Sequence, residues 1–195
     1  MIPIFKPYFA GSERANLLAC IDSGWISSQG EFIRQFEDAF AKYVGVPYGV
    51  STSSCTTALH LALTAFDVGS DDEVLCPDLT FIAPANMIRL TGATPVLVDV
   101  EPQSWAMDPK RVADAITSRT KGLIVVHPFG HAANMDPIMA LAKQHDLFVI
   151  EDVAEAIGAE YKGRQVGAIG DAACYSFFAN KIMTTGEGGI VLSHD

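Results

Sequence analysis

Seven short apolar runs recur along the chain: YGVST (48–52), DEVLC (72–76), TPVLVDV (94–100), KGLIVVH (121–127), LFVIED (147–152), AACYSF (172–177) and GGIVLSH (188–194). Most are separated by segments with helical spacing. A strand that is apolar at consecutive positions, not at alternate ones, is covered on both faces. Alternation of such strands with helices therefore predicts an α/β fold: a mainly parallel seven-stranded sheet with helices on both sides. The last two runs are joined by a connection too short for a helical crossover. GGIVLSH is accordingly expected to run antiparallel to AACYSF.

The helical segments carry their own boundary signals. Ser12 stands as an N-cap before ERANLLACIDS, and Gly24 closes it. Phe32, Phe36 and Phe40 recur at a spacing of four in the next helix, which Gly45 ends. SSCTTALHLALTAF opens on small hydroxyl residues, a further helix is expected from about Thr80 to Gly92, and Asp108 with Pro109 starts another. Asp136 and Pro137 repeat that Asp-Pro start. No internal repeat, low-complexity tract or linker interrupts the pattern, so residues 1–195 read as one domain.

Composition narrows the function classes. A formal net charge of −10 with no run of Lys and Arg excludes a nucleic-acid-binding surface. The four cysteines, Cys20, Cys55, Cys76 and Cys174, lack the spacing of a zinc site or a disulfide framework, and no metal is expected. MIPIFKPYFAGSE shows no basic and apolar leader, and no apolar run approaches the roughly 20 residues of a membrane span. The expected location is the cytoplasm, away from membranes.

In parallel sheets ligands gather beyond the carboxyl ends of the strands, and four features fall there. The loop STSSCTT runs into a helix whose first amides, at Thr56 and Thr57, suit either a plain cap or a phosphate. Phe81, between a strand and a helix, is either a core ring or a cover for a flat ligand. Asp152, ending an apolar strand, is a helix cap, a metal ligand that no His or Cys cluster accompanies, or the partner of a protonated ring nitrogen. Lys181, in SFFANKIMTTGEGG, lies five residues after Ser176. It is either a surface lysine or an amine that forms a Schiff base with an aldehyde, with Ser176 holding a phosphate.

Phosphate loop, ring, aspartate and lysine, in that chain order, are the parts needed to hold pyridoxal 5'-phosphate. The block EDVAEAIGAEYKGRQVGAIGDAACYSFFANKIMTTGEGGIVLS (151–193) closely resembles the signature of the sugar-nucleotide aminotransferases, the DegT/DnrJ/EryC1/StrS family of fold-type-I pyridoxal phosphate enzymes. GWISSQGEFIRQFEDAFAKYVG and MDPIMALAK resemble its other landmarks, so the resemblance spans nearly the whole chain.

The resemblance implies roles. Lys181 is similar to the lysine that binds the cofactor covalently and shuttles protons, and Asp152 to the partner of the pyridinium nitrogen. Glu155 stands where the family often has glutamine or histidine, beside the cofactor's phenolic oxygen. Ser176, Thr56 and Thr57 resemble the phosphate contacts, and Phe81 the stacking ring. Cys55 stands where many relatives have glycine.

Glu155, GWISSQG and FFANK resemble the perosamine synthase branch. That branch aminates GDP-4-keto-6-deoxymannose at C4 with glutamate as donor, in O-antigen and other polysaccharide sugar synthesis. A dehydratase branch carries histidine at the lysine position, and Lys181 sets this chain apart from it. A nucleotide diphosphate implies a local cationic or amide-rich site despite the negative net charge. Relatives run to about twice this length and dimerise, so the resemblance implies the large domain without the small C-terminal domain. The implied partner is a second copy or a complementing C-terminal half. The alternative is a catalytically inactive fragment, or a cofactor-binding regulatory member of the same family.

Overall fold

The structure is a computed structural model that describes residues 2, 3, 5–9 and 11–195. The reading of a leaderless start falls partly on Met1, Ile4 and Ala10, outside the described residues. In chain order the elements are α1 (Glu13–Ser23), α2 (Glu31–Val44), β1 (Tyr48–Thr52), α3 (Cys55–Ala65), β2 (Glu73–Pro77), α4 (Ala83–Leu90), β3 (Thr94–Val98) and α5 (Pro109–Ala115). They continue with β4 (Thr120–Val126), α6 (Met135–His145), β5 (Phe148–Asp152), β6 (Glu160–Tyr161), β7 (Arg164–Gln165), β8 (Ala172–Ser176) and β9 (Gly189–Ser193).

The seven expected strands form one sheet in the order β1-β9-β8-β5-β4-β2-β3. Neighbours from β8 through β5, β4 and β2 to β3 pair in parallel, whereas β9 is antiparallel to both β8 and β1. The expected antiparallel pairing of the last two strands is therefore present. The pairing of β1 with β9 at the sheet edge has no signal in the sequence. Nor does the small β6–β7 hairpin.

Side-chain alternation divides the core. Val74, Cys76, Ile124, Ile150 and Cys174 face α3 and α4, while Leu75, Leu123, Val125 and Val149 face α5 and α6. Leu59 and Leu63 of α3 are wholly buried, each burial contributing about 1.5–3 kcal/mol. On the α5/α6 side of the sheet, α2 covers β8 and β9. Phe40 packs edge-on against Tyr175 and Phe177, with ring centroids 4.9 and 5.3 Å apart. Phe36 joins that cluster, but Phe32, the third ring of the spacing, stays exposed.

Helix ends match the expected signals with two shifts, and Ser12 takes the cap position of α1 without a capping bond from its side chain. α1 and α2 stop at Gly24 and Gly45, and the Asp108 carboxylate caps α5 by accepting from the Lys110 amide at 2.9 Å. α4 begins three residues later than expected, because residues 78–82 turn out of β2 before the helix starts. α6 begins at Met135 with Asn134 as its cap position, so Pro137 lies inside the first turn, where its missing N–H costs no intrahelical bond. The Asp136 carboxylate pairs with Lys162 instead of capping. α1 buries none of its residues and leaves Leu17, Leu18 and Ile21 exposed. Among the described residues, no helix is long and apolar enough to cross a membrane.

Candidate active site

Strand register creates the site. Thr52, the last residue of β1, pairs with Gly189, and Gly189 also pairs with Ser176, the last residue of β8. The end of β1, the start of β9 and the end of β8 therefore lie side by side. The chain leaves β1 into the N-terminus of α3 and leaves β8 into the loop carrying Lys181, so these two segments must meet. Gly189 permits the contact, since a Cβ there would come within 2.4 Å of the Ser54 carbonyl carbon.

The loop between β8 and β9 is tied at its base. The Phe177 amide donates to the Gly188 carbonyl at 2.9 Å, the Thr185 amide donates to the Phe177 carbonyl at 3.0 Å, and the Thr184 hydroxyl reaches the same carbonyl. Lys181 is thus held over the strand ends, with its side chain about one-fifth exposed.

A cavity of about 580 Å³ opens at these strand ends. Thr56, Phe81, Asp152, Glu155, Ser176 and Lys181 all line it, with Cys55, Phe129 and Phe178. The structure does not bring Thr57 to the wall. Its hydroxyl accepts from the Ser54 amide at 3.0 Å and its amide donates to the Ser54 hydroxyl at 3.2 Å, a reciprocal capping box. That leaves the first amides of α3, at Cys55 and Thr56, as the helix-end donors nearest the cavity.

Asp152 is buried, and its Oδ1 accepts from the Ala154 amide at 3.0 Å and from the Cys55 thiol at 3.8 Å. Among the described residues no donor reaches its Oδ2. Burial pushes the carboxyl above the usual aspartate range, against the pull of the Ala154 amide and the Lys181 charge. Burial, together with the charge of Asp152, raises the Cys55 thiol well above the ordinary thiol range, so it serves as a donor and not as a thiolate.

Glu155 bridges two segments. Its Oε2 accepts from the Phe129 amide at 3.0 Å and its Oε1 lies 3.6 Å from Lys181 Nζ. The Phe81 ring is 76% exposed, which removes the core-ring alternative for that residue. Among the described residues Lys181 is the only Lys or Arg on the cavity wall.

Two residues of the site region escape sequence reasoning. His127 and Glu151 are wholly buried and bonded to each other at 2.9 Å beneath the cavity wall. The adjacent pair Glu151-Asp152 is the available signal: on a strand, one of two neighbouring acids must point away from the site.

The sheet order defines an α/β domain, covered on both faces, with a cavity at its strand ends, where such sheets gather ligands. The DegT/DnrJ/EryC1/StrS aminotransferase family model matches residues 7–195, and the chain belongs to that family. It is 50% identical over 194 residues to a GDP-perosamine synthase of Caulobacter vibrioides and 47% identical to one of Escherichia coli O157:H7. It is covered completely in both alignments, while covering 52% and 53% of those proteins. Among solved structures, a putative sugar aminotransferase from Streptococcus pneumoniae in its PLP form superimposes with a TM-score of 0.94 at 32% identity. That match covers all of this chain and 53% of the other. An aminotransferase from Psychrobacter cryohalolentis gives a TM-score of 0.93 at 42% identity, covering 97% of this chain and 48% of the other. The chain spans about half the length of the relatives it matches.

Proposed function

We propose that this chain is the cofactor-bearing part of a pyridoxal-phosphate-dependent sugar-nucleotide aminotransferase, acting on a GDP-linked 4-keto-6-deoxy sugar with glutamate as amino donor. The observation that carries the reading is the convergence of Lys181 and Asp152, from different strand ends, on one cavity. The donor set fits the group. Lys181 offers an amine to an aldehyde, Asp152 offers a buried carboxylate with an unpartnered oxygen to a ring nitrogen, and Phe81 offers an exposed face to a flat ring.

Bound there, the cofactor supplies an electron sink for the carbon next to the transferred nitrogen. Asp152 would hold the ring nitrogen's positive charge in a buried setting, where a charge-assisted hydrogen bond is strong. The α3 amides at Cys55 and Thr56, with Ser176, would hold the phosphate. Lys181 would hold the aldehyde carbon through Nζ and, once the incoming amine displaces it, would carry a proton at Nζ to or from the substrate carbon that bears the transferred nitrogen. Glu155 would stand on the phenolic-oxygen side and Phe81 would exclude water from one face.

The branch assignment is supported by the GDP-perosamine synthase relatives. The relatives' greater length and the exposed Leu17, Leu18 and Ile21 of α1 support a partner: a complementing C-terminal half, or a second copy. GDP-, UDP- and dTDP-linked 4-keto-6-deoxy sugars, each with glutamate and with the C-terminal half of the Caulobacter relative added, test the reading. Amination of the GDP sugar is expected first. Transfer only between free amino acids and keto acids would reject the sugar substrate.

A further inference from the structure

Glu151 does not touch the cavity, yet its carboxylate accepts four hydrogen bonds. Its Oε2 accepts from His127 Nε2 at 2.9 Å and from the Gly167 amide at 2.8 Å. Its Oε1 accepts from the Ile169 and Gly170 amides at 2.8 and 2.7 Å. Both Glu151 and His127 are wholly buried. The Ala133 amide donates to His127 Nδ1 at 3.0 Å, so the imidazole proton sits on Nε2 and points at Glu151. Burial pushes the Glu151 carboxyl up, but the donors from His127, Gly170 and Gly167 outweigh it and hold it below the usual range.

His127 and Ala133 bracket a tight turn at Pro128–Gly130, where Phe129 adopts φ 52° and ψ 28°. A bulky residue with positive φ is strained and persists only where its surroundings fix it. Burial of its own ring does not fix it, since Phe129 is 74% exposed. What the conformation achieves is to aim the Phe129 amide at Glu155 Oε2, 3.0 Å away, leaving Oε1 toward Lys181.

We propose that Glu151 is a positioning residue: through His127 it locks the 128–130 turn, whose Phe129 amide holds the Glu155 carboxylate opposite Lys181. The turn clamp stands on geometry alone; its consequence for Lys181 rests on the function proposed above. Glu151→Gln keeps the volume but presents an NH2 group where amide and imidazole donors already point, so at least one donor loses its acceptor. The clamp should then open more often.

The test is amide hydrogen exchange on the full 195-residue chain, read at Phe129 and at core residues Leu59 and Ile88. In Glu151→Gln, exchange at Phe129 is expected to be about tenfold faster, as for one lost hydrogen bond, with Leu59 and Ile88 unchanged. Glu155→Ala should give the same local change, and the double variant no more than either alone. If Glu151→Gln does not fold, His127→Asn decides in its place, since Asn can still accept from Ala133 while losing Glu151. Borohydride fixation of pyridoxal phosphate on Lys181 should fall in each folded variant. Wild-type exchange at Phe129 in Glu151→Gln, or additive effects in the double variant, would overturn the proposal. Absence of any Lys181 label in the wild-type chain would instead count against the cofactor reading and leave the exchange pattern to decide the clamp.

Discussion

Lys181 Nζ and Glu155 Oε1 lie 3.6 Å apart across the cavity wall, and the other oxygen of that carboxylate is held by the Phe129 amide. The Glu155 side chain is 40% exposed, so the ion pair contributes at most roughly 1 kcal/mol to stability. Glu155→Gln retains an acceptor for Phe129 and is expected to shift the urea midpoint only slightly. A loss of several kcal/mol would mean that the pair holds the loop to the domain, and not that it serves the site.

Asp152 should destabilise the cofactor-free chain at neutral pH. Its folded-state carboxyl is raised above the ordinary aspartate value by burial. Its favourable contribution is therefore full below the ordinary range and is lost as pH rises through the raised folded value. Asp152→Asn is expected to melt at a higher temperature than wild type near neutral pH, with the gap closing as pH falls below the ordinary aspartate range. A variant less stable at neutral pH would show that the ionised carboxylate is needed by the fold itself.

The cysteines should sort by burial. Cys20 is partly exposed, while Cys55, Cys76 and Cys174 are buried. Burial pushes Cys76 up to about 12 and raises Cys55 and Cys174 well above the ordinary range. In mildly alkaline buffer iodoacetamide is expected to modify Cys20 first and to spare the others until the chain unfolds. Modification of Cys55 as fast as Cys20 would mean that it is not held as a thiol against Asp152.

Gly189→Ala tests how α3 is seated. The added Cβ would meet the Ser54 carbonyl carbon and the Cys55 nitrogen at 2.4 and 2.6 Å, both backbone atoms with little room to move. Overpacking of this kind costs about 1–3 kcal/mol. The helix end must shift away from β9, so binding of inorganic phosphate or pyridoxal phosphate should weaken together with stability. Unchanged phosphate affinity would place the anion elsewhere.

Most of the sheet was legible because its strands advertise themselves locally. KGLIVVH and LFVIED are buried on both faces, and their apolar continuity says so without reference to any partner. The pairing of β1 with β9 was not legible, because it joins residues 48–52 to residues 189–193 and no local pattern encodes a partner so distant. At the site, Asp152 and Lys181 were visible as polar residues ending apolar runs. Thr57 resembled Thr56 in sequence, but the capping box takes up its amide and hydroxyl. His127 and Glu151 were invisible as a pair because each reads as an ordinary strand-end residue until the fold stacks β4 beside β5.

The central claim is that Lys181 is the residue that takes the cofactor's aldehyde. The most direct measurement is to mix the chain with pyridoxal phosphate, reduce with borohydride and map the modified peptide. The expected result is one dominant label on Lys181, lost in Lys181→Ala and weakened when inorganic phosphate competes for the α3 amides. A label distributed over Lys162, Lys121 and other surface lysines, unchanged in Lys181→Ala, would contradict the account.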